Sequence, residues 1–132
     1  VMLVANVPNI VVVNPASGIT SIQALIAAAR ARPGAIHFGS AGIGASTHLA
    51  GELFKLMTGV DIVHVPYRGS VPALTDLQAG QVQLMFENMP GAIELVRAGR
   101  LAGLAVTSPS RAAAAPDIPT VAEAGVPGYA VV

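Results

Sequence analysis

The chain has 132 residues, of which 53% are hydrophobic and 11% charged, and its formal net charge is zero. A neutral balance argues against a nucleic-acid-binding surface, which needs a basic face. The absence of cysteine excludes disulfide bonds, thiolate zinc sites and a cysteine nucleophile.

The mean hydropathy of +0.65 is high, yet the apolar runs do not resemble a membrane span. Each run is interrupted long before the roughly 20 residues that cross a bilayer. Short apolar runs are typical of strands buried on both faces of a sheet. The low charge indicates that another domain covers part of the surface. Because the chain begins with Val1 and lacks a basic leader, we expect a processed product or a piece of a longer protein, without its signal peptide.

Apolar strands alternate with amphipathic helices along the chain. In the second helix, the predicted apolar side consists of Leu49, Leu53 and Leu56 together with Ala50, Phe54 and Met57. This alternation predicts parallel strand–helix–strand units with right-handed crossovers. We therefore expect one α/β domain over residues 1–132, with a three-layer, open, mostly parallel sheet and helices on both faces. The predicted strands are residues 10–13, 36–39, 62–65, 82–86 and 101–106, and the helices between them end at Pro33, Gly59, Gly80 and Gly99.

The segment after the last of these strands is rich in proline and alanine. Thr120 and Glu123 have the spacing of a capping box, which predicts one helical turn. Residues 129–132 are predicted to form a last strand.

Long polar loops follow four of the predicted strands. In a parallel sheet these loops lie together at the carboxyl ends of the strands, where open α/β sheets bind ligands. We therefore expect their polar residues to converge on one face. The loops are residues 39–46, 66–70, 87–90 and 107–111.

The strongest local signal is the glycine-rich segment at residues 39–48, which joins a strand to a helix. Its small residues, the hydroxyls of Ser40, Ser46 and Thr47, and the free N–H groups of a helix start suit a carboxylate or a phosphate. The spacing approaches two nucleotide-binding motifs, but Ala45 replaces the lysine of one and the other lacks its third glycine. The alternative to a ligand loop is an ordinary tight turn with a helix cap.

Two further loop residues are candidates for ligand contact. Arg68 could hold a carboxylate with two parallel hydrogen bonds, or it could be a solvated rim charge. Asn88 could contact a ligand, or it could only cap the next helix. The sequence leaves both alternatives open.

The histidines and the known catalytic motifs give little indication of chemistry. His48 and Glu52 stand four residues apart, but no further ligand has suitable spacing, so a polar helix face is favoured over a metal site. His37 and His64 lie in strands and are interpreted as structural. No nucleophile elbow and no zinc-binding histidine motif is present. We therefore expect neither an enzyme nor a bound metal.

Seven segments occur in an order that matches a known family. They are VVNP at residues 12–15, PG at 33–34, FGSAGIGASTHLAGELF at 38–54, VHVPYRG at 63–69, ALTDL at 73–77, LAVTS at 104–108 and PDIPTVAEAG at 116–125. On these segments the chain resembles the solute-binding proteins of tripartite tricarboxylate transporters, the TctC or Bug family.

The resemblance implies one lobe of a type II periplasmic-binding-protein fold. Full members are about twice this length, so the chain is similar to the second lobe alone, with residues 1–13 and 126–132 on the hinge side. Such proteins capture a small dicarboxylate or tricarboxylate between two lobes in the periplasm and deliver it to a membrane permease. The resemblance implies no cofactor and no nucleic-acid partner. It also leads us to expect weak binding by this lobe alone, and a cleft face that is apolar or promotes self-association.

The same resemblance implies the ligand site. Most of its members lie in the strand-to-helix loop, and the others lie at neighbouring loops of the cleft. The implied site residues are Ser40, Ala41, Gly42, Gly44, Ala45, Ser46, Thr47, His48, Arg68, Gly69 and Asn88. The alternative function is the effector-sensing domain of a transcription regulator, which the absence of a helix-turn-helix motif disfavours.

Overall fold

Five strands and four helices alternate in the computed structural model, which describes residues 9–108, 110–113 and 115–130. The alternation predicted from the sequence is thereby confirmed. The elements are β1 (Asn9–Val13), α1 (Ile22–Ala31), β2 (Ile36–Ser40), α2 (Ser46–Thr58), β3 (Ile62–Pro66), α3 (Ser70–Ala79), β4 (Leu84–Asn88), α4 (Met89–Arg97) and β5 (Ala102–Val106), with a 3₁₀ turn at Pro15–Ser17.

Strand direction differs from the prediction at β1. The order across the sheet is β3-β2-β4-β1-β5, and β2 pairs in parallel with β3 and β4. β1 runs antiparallel to β4 and β5, so the prediction of a parallel unit beginning at this strand is wrong. A strand buried on both faces gives the same apolar run in either direction. The other four strands point the same way, and the sheet is open and mixed.

The side chains of β1 alternate between two apolar cores. Val11 and Val13 pack into the core beneath α1 and α2, whereas Ile10 and Val12 pack into the core beneath α3 and α4. The predicted three layers, with helices on both faces, are confirmed. Among the helices that the structure describes, none is long and apolar enough to cross a membrane.

The direction of β1 brings the chain into the sheet at the edge where the polar loops lie. β2, β3, β4 and β5 end at this edge, which we call the carboxyl edge. Because β1 runs the other way, its first residue, Asn9, lies there too, opposite Asn88.

Helix α2 approaches the sheet more closely than its leucine pattern suggests. A β-carbon on Gly51 would lie 2.3 Å from the buried ring of Phe38, so the contact requires glycine. This contact sets which side of the helix is buried. Ala50 and Phe54 are buried as predicted, whereas Leu49, Leu56 and Met57 are exposed, so their prediction as core residues is wrong. The buried residues of α2 are Thr47, Ala50, Gly51 and Phe54.

Strand β4 extends two residues beyond its predicted end. Glu87 and Asn88 belong to the strand, and α4 begins directly at Met89. The prediction of a loop at residues 87–90 is therefore wrong. The polar residues end the apolar run in the sequence, but the Glu87 carboxylate is compatible with the strand because it is hydrogen-bonded by Ser70.

The carboxyl-terminal segment is anchored by side chains. Thr120 N–H donates to Glu123 Oε1 (3.1 Å), and Glu123 N–H donates to Thr120 Oγ1 (3.0 Å), which confirms the capping box. Tyr129 is buried and donates its hydroxyl to the Ala50 carbonyl (2.8 Å). No strand forms at residues 129 and 130, while 131 and 132 lie outside the described residues. The predicted last strand is thus wrong at its first two residues.

Candidate functional site

Backbone hydrogen bonds join the loop after β2 to the loop after β3. Tyr67 N–H donates to the Ser40 carbonyl, and Gly69 N–H donates to the Ala41 carbonyl, both at 3.0 Å. Gly69 adopts a φ of +100°, which favours glycine at this turn. The structure therefore brings together the two loops that the sequence singled out separately.

Two of the three predicted hydroxyls are hydrogen-bonded to the backbone of the glycine-rich loop on its buried side. The Ser40 hydroxyl accepts from Gly42 N–H (3.2 Å), and the Thr47 hydroxyl accepts from Ala41 N–H (2.9 Å). Both Ser40 and Thr47 are fully buried. They fix the backbone of the loop, and only the Ser46 hydroxyl is exposed at the carboxyl edge.

The start of α2 offers unpaired N–H donors. Ala45 occupies the N-cap position and makes no side-chain cap. Within the described part of the chain, the N–H groups of Ile43, Ser46 and Thr47 have no acceptor. Unpaired N–H groups at the positive end of a helix bind anions. This segment can therefore hold a carboxylate through its backbone.

Asn88 lies beside this helix start. The Ser46 hydroxyl donates to Asn88 Oδ1 (3.3 Å), and the Asn88 side chain makes no cap bond to α4. The interpretation of Asn88 as only a helix cap is therefore not what the structure shows. Across the β1–β4 pair it faces Asn9, whose buried Nδ2 has no partner. Asn9 was not predicted as a site residue, since a single Asn at a strand start carries no signal.

A pair of stacked histidines supports the loop. The rings of His48 and His64 lie 3.9 Å apart with an interplanar angle of 6°. His64 Nε2 lies 2.6 Å from the Ser40 hydroxyl, and His48 Nδ1 accepts from Gly44 N–H (2.9 Å). Because Nδ1 accepts, the His48 proton is on Nε2, which faces Glu52 at 3.5 Å. His48 thus supports the loop from the side of α2.

The link between His64 and this site was not predicted from the sequence. Strand alternation places His64 on the same face as Ile62, toward α2. This alternation is the sequence pattern from which a contact between His64 and α2 could have been predicted. Burial lowers the pKa of His64, and His48 and Lys55 lower it further, while Glu52 acts in the opposite direction. The neutral ring is therefore favoured next to the Ser40 hydroxyl.

Arg68 lies at the tip of the loop after β3. Its side chain is exposed and forms no ion pair or hydrogen bond with the residues that the structure describes. Its backbone neighbour Gly69 is joined to the glycine-rich loop. Both interpretations of Arg68, as a carboxylate ligand and as a rim charge, fit this position.

A recess opens next to Asn88. It has a volume of about 430 Å³, and its lining consists of Ser70, Glu87, Asn88, Pro90 and Gly91. Burial raises the pKa of the Glu87 carboxyl, and hydrogen bonds from Ser70 and from the Asn88 N–H oppose part of this rise. From the sequence, Glu87 is expected only as part of a loop.

The site does not have the geometry of a hydrolytic centre. Ser40 and His64 are hydrogen-bonded, but the buried Ser40 leaves no surface for a substrate. In the described ranges, no group of three His, Asp or Glu residues could hold a metal ion. The arrangement is suited to binding an anion.

The comparisons with known proteins point to one family. The model of the TctC family, described as the tripartite tricarboxylate transporter family receptor, matches residues 1–132. Protein BugT of Bordetella pertussis is 43% identical over 129 residues, which are 98% of this chain and 40% of BugT. The chain therefore spans less than half the length of the curated relative.

Solved structures agree with this comparison. R. palustris Rpa4515 with adipate superposes with a TM-score of 0.95 at 45% identity, over 99% of this chain and 44% of that one. The periplasmic binding protein BugD has a TM-score of 0.88 at 32% identity, over 95% of this chain and 42% of that one. MatC from Rhodopseudomonas palustris with bound malate has a TM-score of 0.88 at 26% identity, over 95% of this chain and 42% of that one.

Proposed function

The chain belongs to the TctC family of tripartite tricarboxylate transporter receptors, and we propose on that basis that it is one lobe of a periplasmic solute-binding protein for small organic carboxylates. It binds and releases its ligand without converting it. A membrane permease then takes up the ligand. The residues that carry the proposal are those at the carboxyl edge.

The observation that carries it is the uncapped start of α2. The N–H groups of Ile43 and Ser46 have no acceptor among the described residues, and both residues are exposed. A carboxylate would accept these two hydrogen bonds and benefit from the helix dipole. The Ser46 hydroxyl and the Asn88 amide lie beside this position.

Two of the superposed structures support a carboxylate ligand. Rpa4515 is described with adipate and MatC with malate, and both small molecules are dicarboxylates. A dicarboxylate has two anionic ends, and the start of α2 offers donors for one of them. The other end would be held by a first lobe, since the chain covers only 44% of Rpa4515.

Exposed apolar side chains at the carboxyl edge support a covering lobe. Ile43 in the glycine-rich loop is 80% exposed, and Val71 at the start of α3 is 75% exposed. Residues 1–13 and 126–132 would connect to this lobe as hinge segments. Closure of two lobes around the ligand would bury these side chains.

The test is calorimetric titration with dicarboxylates of four and six carbons. It uses two proteins. One is the 132-residue chain alone, and the other, called the chimera below, is Rpa4515 with its matching part replaced by this chain. We expect the chimera to bind at least one dicarboxylate, and the chain alone to bind it roughly tenfold or more weakly. Equal affinity for chain and chimera would contradict a half-site, and no binding by the chimera would contradict the proposed function.

A further inference from the structure

One hydrogen bond ties the glycine-rich loop to the first turn of α2. The Gly44 N–H donates to His48 Nδ1 at 2.9 Å. Gly44 lies between Ile43 and Ser46, two exposed residues whose N–H groups have no acceptor among the described residues. The imidazole of His48 therefore fixes the stretch of backbone that presents both donors.

This bond exists only while His48 Nδ1 carries no proton. A neutral imidazole has one acceptor nitrogen, whereas an imidazolium has two donors and no acceptor. A proton on Nδ1 would set two N–H groups against each other, so the backbone of Gly44 would have to move away. The space around it is open, because no described atom lies within 4 Å of an added β-carbon at Gly44.

Charged groups face His48 from its own helix, and a second histidine faces it from the sheet. On α2, Glu52 Oε2 lies 3.5 Å from His48 Nε2, and Lys55 Nζ lies 3.6 Å from Glu52 Oε1. On β3, the ring of His64 stacks on His48 with centroids 3.9 Å apart. The Glu52 carboxylate supplies a counter-charge for an imidazolium at His48, and Lys55 offsets part of it.

The stack takes up its first proton at His48. Burial lowers the pKa of His64, and the positive charges of His48 and Lys55 lower it further, whereas Glu52 raises it. Two rings in direct contact do not both carry a charge at low cost. His64 therefore stays neutral beside the Ser40 hydroxyl while the ring that holds Gly44 is protonated.

We propose that His48 is a positioning residue for the carboxylate site, and that its protonation weakens ligand binding. The inference rests on the proposed function and adds its regulation by pH. The ligand is held by directional N–H donors, and loss of the Gly44 bond turns them away from it. The new positive charge on His48 does not compensate, because Glu52 lies against the same ring.

The experiment measures the affinity of the chimera for adipate and for malate at about pH 8 and about pH 6, on either side of the ordinary histidine pKa of about 6.5. We expect a roughly tenfold loss of affinity at the lower pH. His48→Asn places an amide oxygen near the position of Nδ1 and does not titrate, whereas His48→Leu removes the acceptor. We expect the Asn variant to bind more tightly than the Leu variant and to lose most of the pH dependence. Ionisation of the ligand is common to all three proteins and cancels in the comparison.

A second measurement needs no ligand. In the 132-residue chain, the NMR amide resonance of Gly44 should titrate with the same midpoint as the His48 ring, and it should not titrate in His48→Asn. A Gly44 resonance that does not follow His48, or a His48→Asn chimera with the pH dependence of the parent, would overturn the inference and leave carboxylate binding intact. Absence of binding of both acids by the parent chimera at the higher pH would instead overturn the proposed function.

Discussion

The imidazole of His64 stacks on that of His48 with ring centroids 3.9 Å apart, and it contacts the Ser40 hydroxyl at 2.6 Å. The stack joins β3 to the first turn of α2. It supports the glycine-rich loop from both ends, because His48 also accepts from Gly44 N–H.

Stability should depend on pH through His64. Burial and His48 lower its pKa below the ordinary value of 6.5, so the neutral ring stabilises the fold fully above pH 6.5. This contribution is lost as the pH falls from 6.5 through the lowered value of the folded state. We expect His64→Gln to flatten the pH dependence of the urea midpoint in that range. A His64→Gln profile parallel to that of the parent would contradict this role.

Gly51→Ala should destabilise the chain because its new methyl group would meet the Phe38 ring. Overpacking of this kind costs about 1–3 kcal/mol, measured as the free energy of unfolding in urea. The matched test is a double-mutant cycle with Phe38→Leu, in which the cost of Gly51→Ala should shrink. Additive effects would show that the close approach of α2 to β2 is not the cause.

Gly44→Ala should weaken ligand binding as well as stability. Gly44 has a φ of +84° in the glycine-rich loop, and an alanine there is strained by roughly 1 kcal/mol or more. Gly18→Ala is the control, since Gly18 has a φ of +77° and no neighbour within 4 Å of an added β-carbon. Both variants should lower the thermal midpoint, and only Gly44→Ala should lower affinity for a dicarboxylate in the chimera. Equal dicarboxylate affinities for the two variants would show that the glycine-rich loop does not contribute to binding.

Arg68→Ala should weaken dicarboxylate binding in the chimera if the guanidinium contacts the ligand, and we expect a loss of roughly tenfold. The loss should diminish at high salt, because an exposed ion pair is screened. Arg30→Ala removes an exposed charge at the end of α1 and should leave the affinity unchanged. An Arg68→Ala affinity equal to that of the parent would favour the rim-charge interpretation.

The layered fold follows from the sequence because alternation and glycine-ended helices are local signals. The direction of β1 does not follow from the sequence, because an apolar run has the same pattern in both directions. The orientation of α2 is predicted only in part: Ala50 and Phe54 are buried as expected, but the exact side depends on the contact between Gly51 and Phe38, which are distant in sequence. Leu49 and Leu56 gave the stronger periodic signal and are exposed.

The geometry of the candidate site follows from the sequence where it depends on chain order, and it does not where it depends on strand pairing. The glycine-rich loop and Arg68 lie at neighbouring loops, as expected. His64 enters the site through its pairing with Phe38 and its stacking on α2. Glu87 was assigned to a loop because a carboxylate ends an apolar pattern, and its partner Ser70 lies on another element.

The central claim is that the backbone donors at the start of α2 hold a carboxylate, and the most direct measurement is the affinity of Ser46→Pro against Ser46→Ala in the chimera. Proline suits the first helical position, and Ala45 already has a compatible backbone (φ −67°, ψ 161°). Proline removes both the N–H and the hydroxyl, whereas alanine removes only the hydroxyl. We expect Ser46→Pro to bind a dicarboxylate roughly tenfold more weakly than Ser46→Ala. Equal affinities for the two variants would contradict the claim.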